Sequence, residues 1–134
     1  MANSVHVARW IELLEDTNYD VRLVSSNGST ALHPQIDSLT KLGSSEGTFR
    51  LSVPFLSRRI SNYMWVADRL FNDWVRGLYI LINIISFKPR LVHVLELQNG
   101  GYPVIKAFNL LPRKIRPKLF VTNYGSDVYW YQHL

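Results

Sequence analysis

Apolar residues recur at helical spacing near the start of the chain. Val7, Trp10, Ile11 and Leu14 stand at i, i+3, i+4 and i+7, the repeat that lines one face of an α-helix. Asn3 or Ser4 can cap the first turn, so a helix is predicted over about residues 5–15, ended by Thr17-Asn18. Tyr19–Ser25 is a short β-branched run stopped by Ser26-Asn27-Gly28-Ser29, and reads as a strand. Residues 26–48 are rich in Gly, Ser, Thr and Asn. They read as a long loop with room for a short helix near Ile36–Leu42. Phe49–Val53 alternates as a second strand and stops at Pro54.

A long helix is predicted next, over about 62–87. Val66, Leu70, Trp74, Leu78, Ile82 and Ile85 keep near one face, and Leu81 and Ile84 widen it. Gly77 marks either a close packing contact or a break into two helices, and Pro89 ends the run. Leu91–Leu97 is the third strand, Gly100-Gly101 a turn, and Tyr102–Leu111 a helix with Pro103 in its first turn, where proline is tolerated. After the basic stretch Arg113–Lys118, Leu119–Thr122 is the fourth strand.

Strands alternating with helices imply an α/β domain of Rossmann-like type, a mostly parallel sheet with helices on both faces. No repeat, low-complexity tract or domain boundary is visible, so residues 1–134 read as one domain. A doubly wound domain ordinarily opens on a strand, whereas this chain opens on a loop and helix. The reading is a partial domain missing its first strand. Such a domain is expected to self-associate through an unpaired strand edge and apolar helix faces.

Composition narrows the chemistry. The absence of cysteine excludes disulfides, thiolate metal sites and a cysteine nucleophile. No His/Asp/Glu cluster has metal-ligand spacing, so no metal is expected. There is no G-x-S-x-G and no Walker sequence. A formal net charge of +5 favours anionic partners, although solubility explains it equally well. The basic residues are scattered and form no nucleic-acid-binding motif, so nucleic acid is not expected as a partner. Met1-Ala2-Asn3-Ser4 lacks the basic region of a secretory signal. Leu78–Phe87 is the most hydrophobic segment, but Asn83 and Ser86 interrupt it, and it falls well short of the roughly 20 residues a membrane span needs. A cytoplasmic protein is expected.

In open α/β sheets, ligands bind beyond the carboxyl ends of the strands. Three places fit. At Asn3-Ser4-Val5-His6 a helix N-terminus favours a phosphate, with His6 either a donor to an anion or sugar or simply a capping residue. At the end of the third strand, Glu96, Gln98 and Asn99 offer a carboxylate and two amides, which suit sugar hydroxyls or else satisfy a turn. Gly125-Ser126-Asp127 follows the fourth strand, and on its own Asp127 reads as a helix N-cap. His93, within the third strand, reads as a hydrogen-bonded core histidine. Glu12, Glu15, Asp16, Asp68 and Asp73 read as solvated helix faces.

Three segments carry a family resemblance. NSVHVARWIELLEDTNYDVRLVSS (3–26), KPRLVHVLELQNGGYPVIKA (88–107) and PKLFVTNYGSDVYWYQ (117–132) resemble, in order, parts of the N-terminal domain of glycosyltransferase family 4, which has the GT-B fold. The resemblance implies retaining transfer of a sugar from a nucleotide-sugar donor to an acceptor hydroxyl. No cofactor would be permanently bound, because the nucleotide sugar is a substrate. This domain would shape the acceptor side of the cleft, and a C-terminal domain would hold the nucleotide. The chain alone is then expected to be inactive.

The resemblance also makes Asp127 the best single site residue, positioning the acceptor or the sugar. Asn3, Ser4, His6, Glu96, Gln98, Asn99, Gly125 and Ser126 become substrate-binding candidates. The usual glycine-rich first turn is replaced by Asn3-Ser4-Val5. The acceptor would be a glycan, a lipid-linked sugar or a small molecule. Arg58-Arg59 and Arg113-Lys114-Arg116-Lys118 would add peripheral contact with the inner membrane face. The alternative is a non-catalytic Rossmann-like binding or interaction module.

Overall fold

A computed structural model describes residues 5–14, 17–25, 33–34, 36–37, 50–54 and 58–122. The chain divides into two compact units, residues 1–61 and 62–134. Its described part is mixed α/β, with two parallel two-stranded sheets.

The first unit contains α1 (Val5–Leu14), β1 (Asp20–Arg22) and β2 (Arg50–Ser52). Helix α1 buries Val7, Ala8 and Ile11; of the stripe that the spacing marked, Val7 and Ile11 are buried while Trp10 and Leu14 are half-buried. Strands β1 and β2 pair in parallel, Val21 opposite Leu51. The ladder is extended by Leu23 N–H donating to the Ser52 carbonyl at 2.9 Å. The Asp20–Arg50 ion pair alongside it is 4.0 Å long and exposed, so it contributes little. Of the short helix expected near 36–42, one helical turn is described: Asp37 N–H donates to His33 O, and Ile36 is fully buried.

Helix α2 (Arg58–Leu70) begins in the first unit and ends in the second, which continues with α3 (Trp74–Phe87), β3 (Leu91–Leu95), a π-helical turn (Leu97–Gly101), α4 (Tyr102–Leu110), a 3-10 turn (Arg113–Ile115) and β4 (Lys118–Thr122). The single helix expected over 62–87 is therefore two. The break falls at Phe71–Asp73 rather than at Gly77. Asn72 and Asp73 adopt left-handed backbone, φ 48° and 63°, a region that Asn and Asp tolerate better than most side chains.

A charged clamp holds this corner. Asp73 makes no capping bond of its own. Instead the Asp68 carboxylate, one turn before the break, accepts the backbone N–H of Arg76 at 2.9 Å, filling the role of an N-cap for α3. The Arg76 guanidinium also donates to Asp68 and to Asp73. Asp68 is only 2% exposed, which overturns its reading as a solvated residue. The sequence pattern misses this because the partner lies across a turn, eight residues on. Burial alone would lower the pKa of Arg76, but the hydrogen bonds and charges of Asp68 and Asp73 outweigh it and hold the pKa raised. From α4, the Lys106 ammonium donates to the Asn72 carbonyl and sits 5.7 Å from the centre of the Trp74 ring.

Gly77 is the close contact of α3 with α4. A Cβ there would stand 3.2 Å from Lys106 Cβ and 3.4 Å from Pro103 O. Along this seam Ile80 and Ile84 of α3 meet Val94 of β3, Val104, Ala107 and Phe108 of α4, and Leu111. The buried face of α3 is thus Gly77, Ile80, Asn83 and Ile84. The neighbouring face that the spacing marked, Trp74, Leu78, Ile82 and Ile85, is exposed, as are Val66 and Leu70 of α2. Helix α3 is apolar over both faces, so periodicity alone does not choose between them.

Strands β3 and β4 pair in parallel with α4 between them in the chain, a β-α-β unit. Val94 is buried in the core and Val92 packs against it, while His93 alternates to the other face of the strand. Among the described residues no helix is long and apolar enough to cross a membrane.

Candidate functional site

The most unusual backbone in the second unit lies where β3 ends. Glu96 has φ 89° and ψ 125°, a region costly to any residue with a Cβ. Two backbone bonds hold it there. Its N–H donates to Thr122 O at 3.0 Å, extending the ladder to the last residue of β4, and its carbonyl accepts Gly101 N–H at 3.2 Å. The chain then makes its π-helical turn and enters α4 at Tyr102, with Pro103 in the first turn.

The two glycines of this turn are closely packed. A Cβ on Gly100 would lie 2.9 Å from Val94 Cγ1, and one on Gly101 would lie 2.9 Å from Leu97 Cδ1. Both glycines are buried, Gly100 against Val94 of the core. The turn is therefore pinned from beneath by the hydrophobic core and from the side by β4. Strain held by such surroundings and π-helical turns both recur at functional sites.

The parallel register adds a pair that spacing could not reveal. His93 Nε2 and Thr122 Oγ1 are 2.8 Å apart, joined by a hydrogen bond whose direction depends on the imidazole tautomer. The His93 ring also meets Phe120 at 5.0 Å between centroids, tilted by 54°. His93 is thus hydrogen-bonded as expected, but it is half-buried rather than within the core. Desolvation lowers its pKa below the ordinary 6.5.

The sign of the linkage follows from that depression. Between the folded and unfolded pKa values the unfolded chain binds more protons, so stability is full above about pH 6.5 and falls as the pH drops below it. We expect the melting temperature of the native chain to decline on acidification through this window. His93→Phe should remove that part of the decline, and thermal melts of the two proteins across the window measure it.

Glu96 stands at the carboxyl end of β3, half-buried, beside the end of β4. Gln98 and Asn99 lie in the π-helical turn, where only their backbone is described. His6 lies in the first turn of α1 and is exposed. Asn3, Ser4, Gly125, Ser126 and Asp127 fall outside the described residues.

Arg113, Lys114, Arg116 and Lys118 are exposed, and Arg116 Nε donates to Leu111 O at 2.8 Å. A pocket of about 160 Å³ is lined by Asp68, Arg69, Asp73 and Arg76. It is below the roughly 300–1,000 Å³ of ordinary ligand sites, and the corner clamp already uses the charges of Asp68, Asp73 and Arg76. Among the described residues no group of three His, Asp or Glu side chains is placed to hold a metal ion. Comparisons with protein-family models, with curated proteins and with solved structures find no match to this chain.

Proposed function

We propose that this chain is the acceptor-side, Rossmann-like domain of a sugar-nucleotide-dependent glycosyltransferase, and that the carboxyl end of β3 binds the acceptor sugar. The observation that carries this reading is the strained Glu96, held at a strand end in a parallel β-α-β unit, where open α/β sheets take their ligands. Both strand pairs are parallel, as the strands of such α/β folds are.

In this reading the Glu96 carboxylate accepts hydrogen bonds from acceptor hydroxyls and fixes their orientation toward the donor, a positioning role. Asp127, five residues after Thr122 in the sequence, shares that task, as the resemblance implies. The nucleotide sugar is a substrate held mainly by a second domain, so the chain alone binds acceptor without turning over. The exposed basic residues at 113–118 suit an anionic headgroup surface when the acceptor is lipid-linked.

Binding of simple glycosides, measured at equilibrium on the chain and its variants, tests the proposal. Glu96→Gln, which removes the charge but keeps the shape, should weaken binding roughly 10- to 100-fold, the worth of hydrogen bonds to a charged group. Glu96→Gly should lose binding and yet melt roughly 3–6 °C higher, because glycine relieves the left-handed backbone. Glycoside affinity unchanged by Glu96→Gln would remove the carboxylate from the site.

A further inference from the structure

Among the described residues, none pairs with the outer edge of β4. Lys118 N–H donates to Arg90 O, and Thr122 O accepts from Glu96 N–H. These bonds face residues 118, 120 and 122 toward β3 by the alternation of a parallel ladder, and turn the N–H and C=O groups of Leu119 and Val121 away from it. Among the described residues β4 pairs with β3 alone. Its apolar side chains are also uncovered, with Leu119 39%, Phe120 52% and Val121 36% exposed. A two-stranded sheet with such an edge is short of a neighbour.

We propose that this edge pairs with the same edge of a second copy, antiparallel, about a two-fold axis at Phe120. Three features favour a second copy in this register. Leu119 then faces Val121 of the other copy, so each outward N–H and C=O finds its complement. Phe120 faces itself in the closer, non-hydrogen-bonded type of pair, where aromatic side chains meet. Lys118 faces Thr122, so no like charges are opposed. The antiparallel arrangement sets the two Lys118 residues about 13 Å apart along the strands, beyond the screening length of about 8 Å at physiological salt. A parallel pairing would stack them. The result is a four-stranded sheet, β3-β4-β4-β3. This inference is independent of the glycosyltransferase reading.

The chain has no cysteine, so single substitutions report cleanly. Sedimentation of the full chain across a concentration series should show a reversible dimer. Phe120→Cys should form a disulfide-linked dimer on mild oxidation, because residues in that type of pair lie about 4.5 Å apart between Cα atoms, within disulfide reach. Leu119→Cys, two positions out of register with its own copy, should cross-link poorly. Val121→Pro removes an outward N–H and no ladder bond to β3. It should weaken association on the order of 10-fold or more, with far-UV circular dichroism confirming that the fold persists. A native chain that stays monomeric throughout would overturn the proposal. So would a dimer that Phe120→Cys does not trap, or one that a folded Val121→Pro leaves intact.

Discussion

Asp68→Ala is expected to cost about 3–5 kcal/mol of folding stability, the usual consequence of removing one partner from a buried ion pair. Asp68 is the hub of the corner between α2 and α3, bonded both to the Arg76 backbone and to its guanidinium. Its side chain is 3% exposed and that of Arg76 is 16% exposed, so water screens the pair weakly. Alanine takes one carboxylate from a half-sequestered cation and leaves one orphaned N–H in the first turn of α3. Domains of this size are stable by about 5–15 kcal/mol, so the loss should appear as a large drop in the denaturant midpoint. Asp68→Asn keeps an acceptor for the backbone N–H and should cost less. Equal midpoints for Asp68→Ala and the native chain would show that the corner does not depend on this contact.

Phe108→Ala should have an effect of the same size, about 3–5 kcal/mol, for a different reason. Phe108 is 9% exposed and belongs to the cluster with Ile80, Ile84, Val94 and Ala107. Deleting its ring loses buried area and leaves a cavity between α3 and α4. Phe108→Leu should cost much less, because most of the volume is kept. The consequence reaches the candidate site. Helix α4 begins where the turn after Glu96 ends, and the core beneath that turn includes Val94, against which Gly100 packs. A loosened α4 should therefore also let the backbone at Glu96 relax. Chemical denaturation measures the first effect, and hydrogen exchange at Leu97–Tyr102 the second. Native-like exchange there in Phe108→Ala would separate the turn from the core.

The particular elements show what the sequence could convey. The four strands stand where β-branched runs bounded by turn residues placed them, within one or two residues at most ends. Helix α1 and the proline-led start of α4 were also legible, because each has one apolar stripe and an identifiable terminus. The break at Phe71–Asp73 was not. Leu70 and Trp74 continue the four-residue spacing of Val66 across it, so the apolar repeat passes over a turn that reverses the backbone sign. Asp68 was misread for a related reason. A carboxylate among polar residues on a helix looks solvated until the fold returns Arg76 to it.

At the candidate site, Glu96 was legible as a polar residue closing a strand. Its left-handed backbone was not, because no rule of composition places Glu there. The strain arises from Thr122 and Gly101 holding it on two sides. The His93–Thr122 pair depends on register, which brings together residues 29 apart in the chain, and local pattern contains no such information.

Mapping amide resonances during a titration shows whether the carboxyl end of β3 receives an acceptor sugar. The chain labelled with nitrogen-15 would be titrated with simple glycosides and, separately, with nucleotide sugars. Saturable glycoside shifts are expected, confined to residues 93–102 and the end of β4 at Thr122, lost in Glu96→Gln, with weaker response to the nucleotide sugars. No saturable glycoside shift in this region, or shifts that survive Glu96→Gln unchanged, would contradict acceptor binding there.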